Sequence, residues 1–104
     1  MDELGQVIMY KDKTGKNNLE VKLYEDTVWL NQEQLVKLYN SSKSNISEHI
    51  KHILNEGELE ENSVVRNFRT TAADGKSYQT KYYNLDMIIS LGYRIKSKIA
   101  TQLR

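Results

Sequence analysis

The sequence contains no cysteine among its 104 residues and only two histidines, His49 and His52. Without cysteine, neither a disulfide scaffold nor a thiolate zinc site can form. No apolar run approaches the roughly 18 residues of a membrane span, and the N-terminus has no basic segment followed by an apolar one. We therefore expect a soluble protein without a signal peptide or membrane anchor, and the missing cysteines fit the reducing cytoplasm.

The length of 104 residues predicts a single domain that can bury one core without disulfides or metals. The net charge of +1 hides an uneven distribution. Residues 1–62 carry seven Lys/Arg against twelve Asp/Glu, a balance of −5, and residues 63–104 carry eight against two, a balance of +6. The basic part is the candidate for contact with phosphates. Mutual neutralisation of the two halves within the fold is the alternative, and charge alone leaves both open.

Two pairs of extended segments predict two β-hairpins. Gln6 to Tyr10 and Asn18 to Tyr24 are rich in Val, Leu, Ile and Tyr, and K-D-K-T-G-K-N separates them as a turn. Val64 to Thr71 and Ser77 to Tyr83 are also extended, and A-A-D-G-K between them contains the Asp-Gly turn signal. The second hairpin is basic.

The segment between the hairpins predicts a helix-turn-helix. Asn31 is a good N-cap, and Gln34 stands where a capping box needs Glu or Gln. The first helix should run to about Tyr39 and end at Asn40 in the left-handed conformation. The second should span Ser44 to about Asn55, with isoleucines at i, i+4 and i+7 forming its buried stripe.

The rest of the chain predicts an acidic connection from Glu58 to Glu61, a helix from the cap Asn84 through Leu91, and a last helix starting in Lys96 to Arg104. The predicted fold is an α+β winged helix-turn-helix, with the N-terminal hairpin packed beside the helices and the basic hairpin as the wing. The predicted core comprises Trp29, Leu35, Leu38, Ile46, Ile50, Ile53 and Ile88.

Double-stranded DNA is the expected partner, with helix 44–55 in the major groove and hairpin 64–83 on the backbone. The polar side of the second helix and the hairpin cations supply the candidate DNA-binding residues: Lys43, Ser44, Asn45, Glu48, Lys51, His52, Arg66, Arg69, Lys76 and Lys81. Glu48 counts against nearby phosphates, and a merely solvated helix face has the same composition. Arg66 has the alternative of pairing with the acidic run Glu58 to Glu61.

Three motifs resemble the virulence-associated RhuM-type proteins of bacteria. They are W-L-N-Q-E-Q-L at residues 29–35, G-E-L-E-E-N-S-V-V-R at 57–66, and R-T-T-A-A-D-G-K-S-Y-Q-T-K-Y-Y-N-L-D-M-I-I-S-L-G-Y-R at 69–94. The resemblance implies a DNA-binding, transcription-regulating protein encoded near mobile elements and related in outline to phage antirepressor domains. It also implies that residues 1–104 form the N-terminal domain of a longer protein. Because one helix in one groove reads only a few base pairs, we expect sequence preference to require a homodimer, which the C-terminal region absent from this chain could supply. The resemblance supplies no catalytic residues.

An enzyme and a metal site have little support in the sequence. Ser47 and His52 suggest no third catalytic partner, and His49 and His52 lack the H-E-x-x-H arrangement of a zinc site. No cofactor is expected. The serious alternative to DNA binding is a protein-interaction module, because a winged fold alone does not establish a nucleic-acid partner.

Overall fold

The computed structural model describes the backbone of residues 6–11, 18–71 and 73–102, and the side chains of residues 22–69, 71 and 73–96. The chain is α+β, as predicted. The strands are β1 (Gln6–Lys11), β2 (Asn18–Tyr24), β3 (Thr27–Asn31), β4 (Val65–Thr71) and β5 (Ser77–Asn84), and the helices are α1 (Gln32–Tyr39), α2 (Lys43–Asn55), α3 (Glu61–Val64) and α4 (Leu85–Gln102). In this part of the chain no helix combines the length and apolarity needed to cross a bilayer.

The five strands form one antiparallel sheet in the order β1-β2-β3-β5-β4. The central strand β3 was not predicted. It follows β2 after a two-residue turn, where Tyr24 pairs with Thr27 and both Glu25 (φ 54°) and Asp26 (φ 60°) have positive φ. Such turns favour Asn-Gly or Asp-Gly, so Glu-Asp gave no hairpin signal. As a result, the N-terminal hairpin joins the sheet through the β2–β3 pairing.

Both predicted hairpins are present. The predicted turn between β1 and β2 falls on residues 12–17, which lie outside the described residues. The turn between β4 and β5 has Gly75 at φ +86°, and the backbone N–H of Lys76 donates to Asp74 Oδ1 at 2.9 Å. This is the turn chemistry expected of the Asp-Gly pair.

The two central helices form, and the first of them has the predicted caps. Asn31 Oδ1 accepts from the Gln34 N–H at 2.9 Å, and Gln34 Oε1 accepts from the Asn31 N–H at 2.8 Å, which completes a capping box. Asn40 ends α1 in the left-handed conformation, at φ 49° and ψ 49°. Ser42 Oγ then accepts from the Asn45 N–H at 3.0 Å and caps α2, which begins at Lys43.

Two predicted boundaries were wrong. Residues 85–102 form the single helix α4, not two helices. A helix tolerates Gly92 at a cost of about 1 kcal/mol relative to Ala, and here its missing side chain makes room for α1, because an added Cβ would lie 3.0 Å from Tyr39 Oη. The predicted acidic connection ends earlier, because Glu61 begins the short helix α3. Val64, which was predicted to begin the strand, is the last residue of this helix.

The sheet separates two buried clusters. The larger cluster lies between the sheet and the helices and contains Leu30, Leu35, Ile46, Ile50, Ile53, Val64, Tyr83, Met87, Ile88, Leu91 and Ile95. All but two of the predicted core residues lie in it. Leu38 is 40% exposed, because the short helix α1 buries the side that carries Leu35 and leaves Leu38 near solvent. Trp29 is fully buried, but in the cluster on the other face of the sheet.

The second cluster is aromatic. Phe68 makes edge contacts with Tyr24 and Tyr82, with ring centroids 5.4 and 5.2 Å apart, and it packs against Trp29 at 6.1 Å. The buried Lys22 ammonium lies 4.9 Å from the Phe68 ring centroid and 5.4 Å from that of Tyr82. The ring faces therefore provide favourable electrostatics for this cation. Tyr82 and Tyr83 pack on opposite faces of the sheet.

Candidate nucleic-acid interface

The polar side of α2 faces solvent. Ile46, Ile50 and Ile53 are buried, so the residues on the opposite side of the helix point away from the core. Five of the predicted contact residues on α2 are exposed: Lys43, Ser44, Glu48, Lys51 and His52. They are available to a partner without any change in the fold.

Asn45 has a different position from the other predicted residues of α2. It is half-buried, and its Nδ2 donates to Ser41 Oγ at 2.8 Å while its backbone N–H donates to the cap Ser42. The amide therefore helps to hold the turn between α1 and α2. A loss of binding in an Asn45 variant would report on that turn as well as on any base contact.

An open cleft of about 610 Å³ separates the first residues of α1 and α2 from β5. Lys43 and Lys81 both line it, together with Asn31, Gln32, Glu33, Val36, Thr80 and Tyr83. Gln32 Nε2 donates to the Lys43 carbonyl oxygen at 3.0 Å and ties the start of α1 to the start of α2. The cleft thus brings a cation of the second helix and a cation of the basic hairpin to one site.

The hairpin carries two more cations, Arg69 on β4 and Lys76 at the turn. Asn67 pairs with Lys81 and Arg69 pairs with Gln79, so Arg69 and Lys81 are diagonal neighbours on one face of the hairpin. Lys76 lies at the turn beyond them. Arg69, Lys76 and Lys81 are exposed, and none of them, nor Lys43, makes an ion pair with another described residue. We call these four residues the cationic edge.

Arg66 lies on the other face of the hairpin, as its alternation with Arg69 along β4 requires. Its Nη1 donates to the carbonyl oxygens of Asn62 at 2.5 Å and Val65 at 3.1 Å, and its Nη2 lies 3.9 Å from Glu25 Oε1. The guanidinium carbon is also 5.8 Å from the Trp29 ring centroid. Arg66 thus contacts Glu25 and the aromatic cluster, and it does not face the cleft.

The C-terminal end of α2 is acidic, and Arg94 of α4 binds it. Arg94 Nη2 lies 2.7 Å from Glu56 Oε1 and 2.9 Å from Glu58 Oε1, and Ser90 Oγ donates to Glu58 Oε2. The Ser90 hydroxyl and the Arg94 guanidinium lower the pKa of Glu58, and the two carboxylates raise the pKa of Arg94. At the opposite end of α2, exposed Lys43 makes no ion pair with a described residue.

Acidic groups are also present near the cationic edge. Glu33 lines the cleft and Glu48 is exposed on α2. Burial, and secondarily the charge of Glu61, raise the pKa of Tyr83 in the cleft, so its hydroxyl stays protonated at neutral pH. Among the described residues, no three His, Asp or Glu side chains are close enough to hold one metal ion.

Sequence reasoning found the cations of the cleft but missed the neutral and acidic residues beside them. Gln32, Glu33 and Thr80 line the cleft. Gln32 and Glu33 occupy the first turn of α1, where polar and acidic residues are common, so their types gave no sign of a binding site. Only the unpredicted pairing of β3 with β5 brings the start of α1 next to the basic hairpin.

Comparison with known proteins finds a family match for part of the chain. Residues 63–104 match the model of the Virulence protein RhuM family, which confirms the resemblance of the sequence motifs over this part of the chain. The matched stretch contains the basic hairpin and α4, including Arg69, Lys76 and Lys81. No curated protein matches the chain, and no solved structure matches it.

Proposed function

We propose that this domain, which carries the RhuM family match, binds double-stranded DNA as a winged helix-turn-helix. In this proposal α2 enters the major groove and the hairpin β4–β5 lies along the phosphates. The observation that carries it is the cationic edge. Lys43 at the start of α2 and Lys81 on β5 line one cleft, and neither makes an ion pair with a described residue.

The topology supports the winged helix-turn-helix. The helices α1 and α2 connect β3 to the hairpin β4–β5, and β3 pairs with β5. This pairing brings the hairpin beside the start of the second helix, so both elements can reach the same stretch of a duplex. Exposed Ser44 and Lys51 then face the major groove, where Lys pairs best with guanine.

The proposed contacts predict binding that is mainly electrostatic. Each phosphate neutralised by Lys or Arg changes the logarithmic salt slope by about −0.9. If all four residues of the cationic edge contact phosphates, the slope should be about −3 to −4. One helix in one groove reads only a few base pairs, so we expect sequence preference to require two domains on two half-sites.

A protein-interaction module is the second candidate, and the acidic residues of this surface favour it. Glu33 lies in the cleft with the two lysines, and Glu48 lies on the exposed side of α2. Such a mixture of charges suits a protein surface of mixed charge better than a row of phosphates. The two candidates differ in the salt dependence of DNA affinity, which is steep for the first and absent for the second.

The test is a fluorescence-anisotropy titration of the domain with random duplex DNA at several salt concentrations. The chain offers a matched pair of variants, Arg69→Gln and Arg66→Gln, which remove the same charge from opposite faces of β4. We expect Arg69→Gln to weaken binding to all sequences and to make the salt slope shallower by about one unit. Arg66→Gln should leave the slope unchanged.

Two results would contradict the proposal. The first is wild-type protein that shows no salt-sensitive binding at high micromolar concentration, which would favour the interaction module. The second is a pair of arginine variants with equal salt slopes although both are folded by circular dichroism. That result would place the DNA contact away from the cationic edge.

A further inference from the structure

Helix α4 carries an apolar stripe on its solvent side. Met87, Leu91 and Ile95 face the core, whereas Leu85 is 43% exposed, Ile89 47% and Tyr93 74%. These three exposed residues recur at i, i+4 and i+8, so they lie one above another on one side of the helix. We call them the α4 stripe.

Scattered exposed apolar residues are normal on a protein surface, but an aligned set rimmed by charges marks an interaction site. The α4 stripe has charges at its ends. Asp86 lies in the first turn of α4 and exposed Lys96 lies about 15 Å further along it, at 1.5 Å per residue. The two charges have opposite signs.

We propose that the α4 stripe binds the same stripe of a second copy of this chain, with the two helices antiparallel. A two-fold axis relates two identical antiparallel helices and crosses both at the same residue level. A residue at a given distance on one side of that level then faces, in the other copy, the residue at the same distance on the other side. Ile89 and Tyr93 have their midpoint at the level of Leu91, and so do Asp86 and Lys96. The axis that sets Ile89 against the other copy's Tyr93 therefore also sets Asp86 against its Lys96.

The charge pattern selects this arrangement over a parallel one. In a parallel pair related by a two-fold axis each residue faces its own copy, so Asp86 would face Asp86 and Lys96 would face Lys96. Like charges that face each other across an interface are unfavourable, whereas the antiparallel pair forms two oppositely charged contacts.

The dimer surface is separate from the cationic edge. The residues lining the cleft belong to β3, α1, α2 and β5, and the α4 stripe contributes none of them. The dimer consequently does not depend on whether the domain binds DNA. If it does bind, two copies would supply the pair of reading helices that half-site recognition needs.

One exposed helix face is smaller than the about 800 Å² per partner of a standard stable interface. We therefore expect a weak dimer that dissociates on dilution through the micromolar range. Sedimentation equilibrium on the 104-residue chain, at concentrations spanning that range, should show a shift in mass from monomer to dimer.

A matched pair of tyrosine variants tests the position of the interface. Tyr93→Ser removes the most exposed residue of the α4 stripe, and Tyr78→Ser removes a tyrosine that is 50% exposed on β5. Tyr93→Ser should weaken the dimer at least tenfold, and Tyr78→Ser should leave its dissociation constant unchanged. Equal effects of the two variants would overturn the assignment to α4.

The charge pairs test the two-fold geometry. Asp86→Lys alone and Lys96→Asp alone should each be monomeric, because every charge contact then joins like charges. A one-to-one mixture of the two variants should form a heterodimer, because all its contacts join opposite charges. The proposal fails if the wild-type chain is monomeric at all concentrations, which would assign the stripe to a different protein, or if the mixture associates no better than the separate variants.

Discussion

The helix pair α1–α2 has a closed side against α4 and an open side toward β5. On the closed side Tyr39 Oη donates to the Ile88 carbonyl oxygen, and Arg94 bridges Glu56 and Glu58. On the open side Lys43 and Lys81 line a cleft without an ion pair to any described residue. The named polar groups of the closed side are bonded to one another within the fold, whereas the two lysines of the open side are exposed to solvent.

If the open side binds DNA as proposed, we expect stability and binding to depend on different residues. Buried or paired polar groups are costly to remove, because their partners are left unsatisfied. Exposed charges contribute little to the free energy of unfolding, and substitutions there usually change it by less than about 0.5 kcal/mol. Variants of the closed side should therefore change the free energy of unfolding, and variants of the open side should change binding. A variant that changes both quantities would contradict this comparison.

The largest effect is expected where α1 meets α4. In Gly92→Ala the new Cβ would lie 3.0 Å from Tyr39 Oη, which its hydrogen bond to the Ile88 carbonyl oxygen holds in place. Such overpacking costs about 1–3 kcal/mol, at least as much as the about 1 kcal/mol gained in helix propensity. We expect a net loss in the free energy of unfolding, measured by urea denaturation. DNA affinity of the folded protein should not change.

A second variant shows whether the Tyr39 hydroxyl causes the loss of stability in Gly92→Ala. In a Tyr39→Phe background the nearest atoms to the new Cβ are ring carbons at 3.4 and 3.5 Å, an ordinary contact distance. Gly92→Ala should then be neutral or stabilising by up to about 1 kcal/mol. An equal loss in both backgrounds would contradict the proposed contact.

A smaller effect, dependent on pH, is expected at Glu58. Its pKa lies below the ordinary 4.5 because Ser90 and Arg94 bind the carboxylate. A lowered folded pKa stabilises the protein above the unfolded value, and this stability is lost as the pH falls through the folded pKa. The side chain is 44% exposed, so solvent screening limits the contribution to at most about 1 kcal/mol.

The measurement is the free energy of unfolding of wild type and Glu58→Gln from neutral pH into acid. Wild type should be the more stable protein at pH 7, and the two curves should converge below about pH 4.5 as Glu58 protonates in wild type. Glu60→Gln, an exposed acid without an ion pair among the described residues, is the control and should follow wild type. Parallel curves for wild type and Glu58→Gln would show that the contacts of Glu58 with Ser90 and Arg94 contribute nothing to the pH dependence of stability.

Local signals in the sequence predicted the elements of the fold well. The capping box at Asn31 and Gln34 and the left-handed Asn40 depend on residues close in sequence, and both formed as predicted. The isoleucine spacing of α2 likewise identified its buried side. These features depend on helix geometry alone, so one sequence is enough to find them.

Long-range pairing was harder to predict. The strand β3 was missed because Glu25 and Asp26 give no turn signal, and with it the pairing with β5 that creates the cleft. The charge pattern placed Arg66 and Arg69 in one set of candidates, with an acidic partner as the alternative for Arg66 alone, and it did not show that they lie on opposite faces of β4. Which of them remains available depends on Glu25 and Asn62, and no local pattern shows those contacts.

The smallest effect on stability is expected on the open side, at Lys81. Because Lys81 has no ion pair with a described residue, Lys81→Gln should change the free energy of unfolding by less than about 0.5 kcal/mol. If the cationic edge contacts phosphates, the same variant should make the salt slope of DNA binding shallower by about one unit. Lys43→Gln should add a second unit in the double variant, since each lysine would contact its own phosphate. A loss above about 1 kcal/mol in Lys81→Gln would mean that this lysine also stabilises the fold, and the open and closed sides would then not be separable.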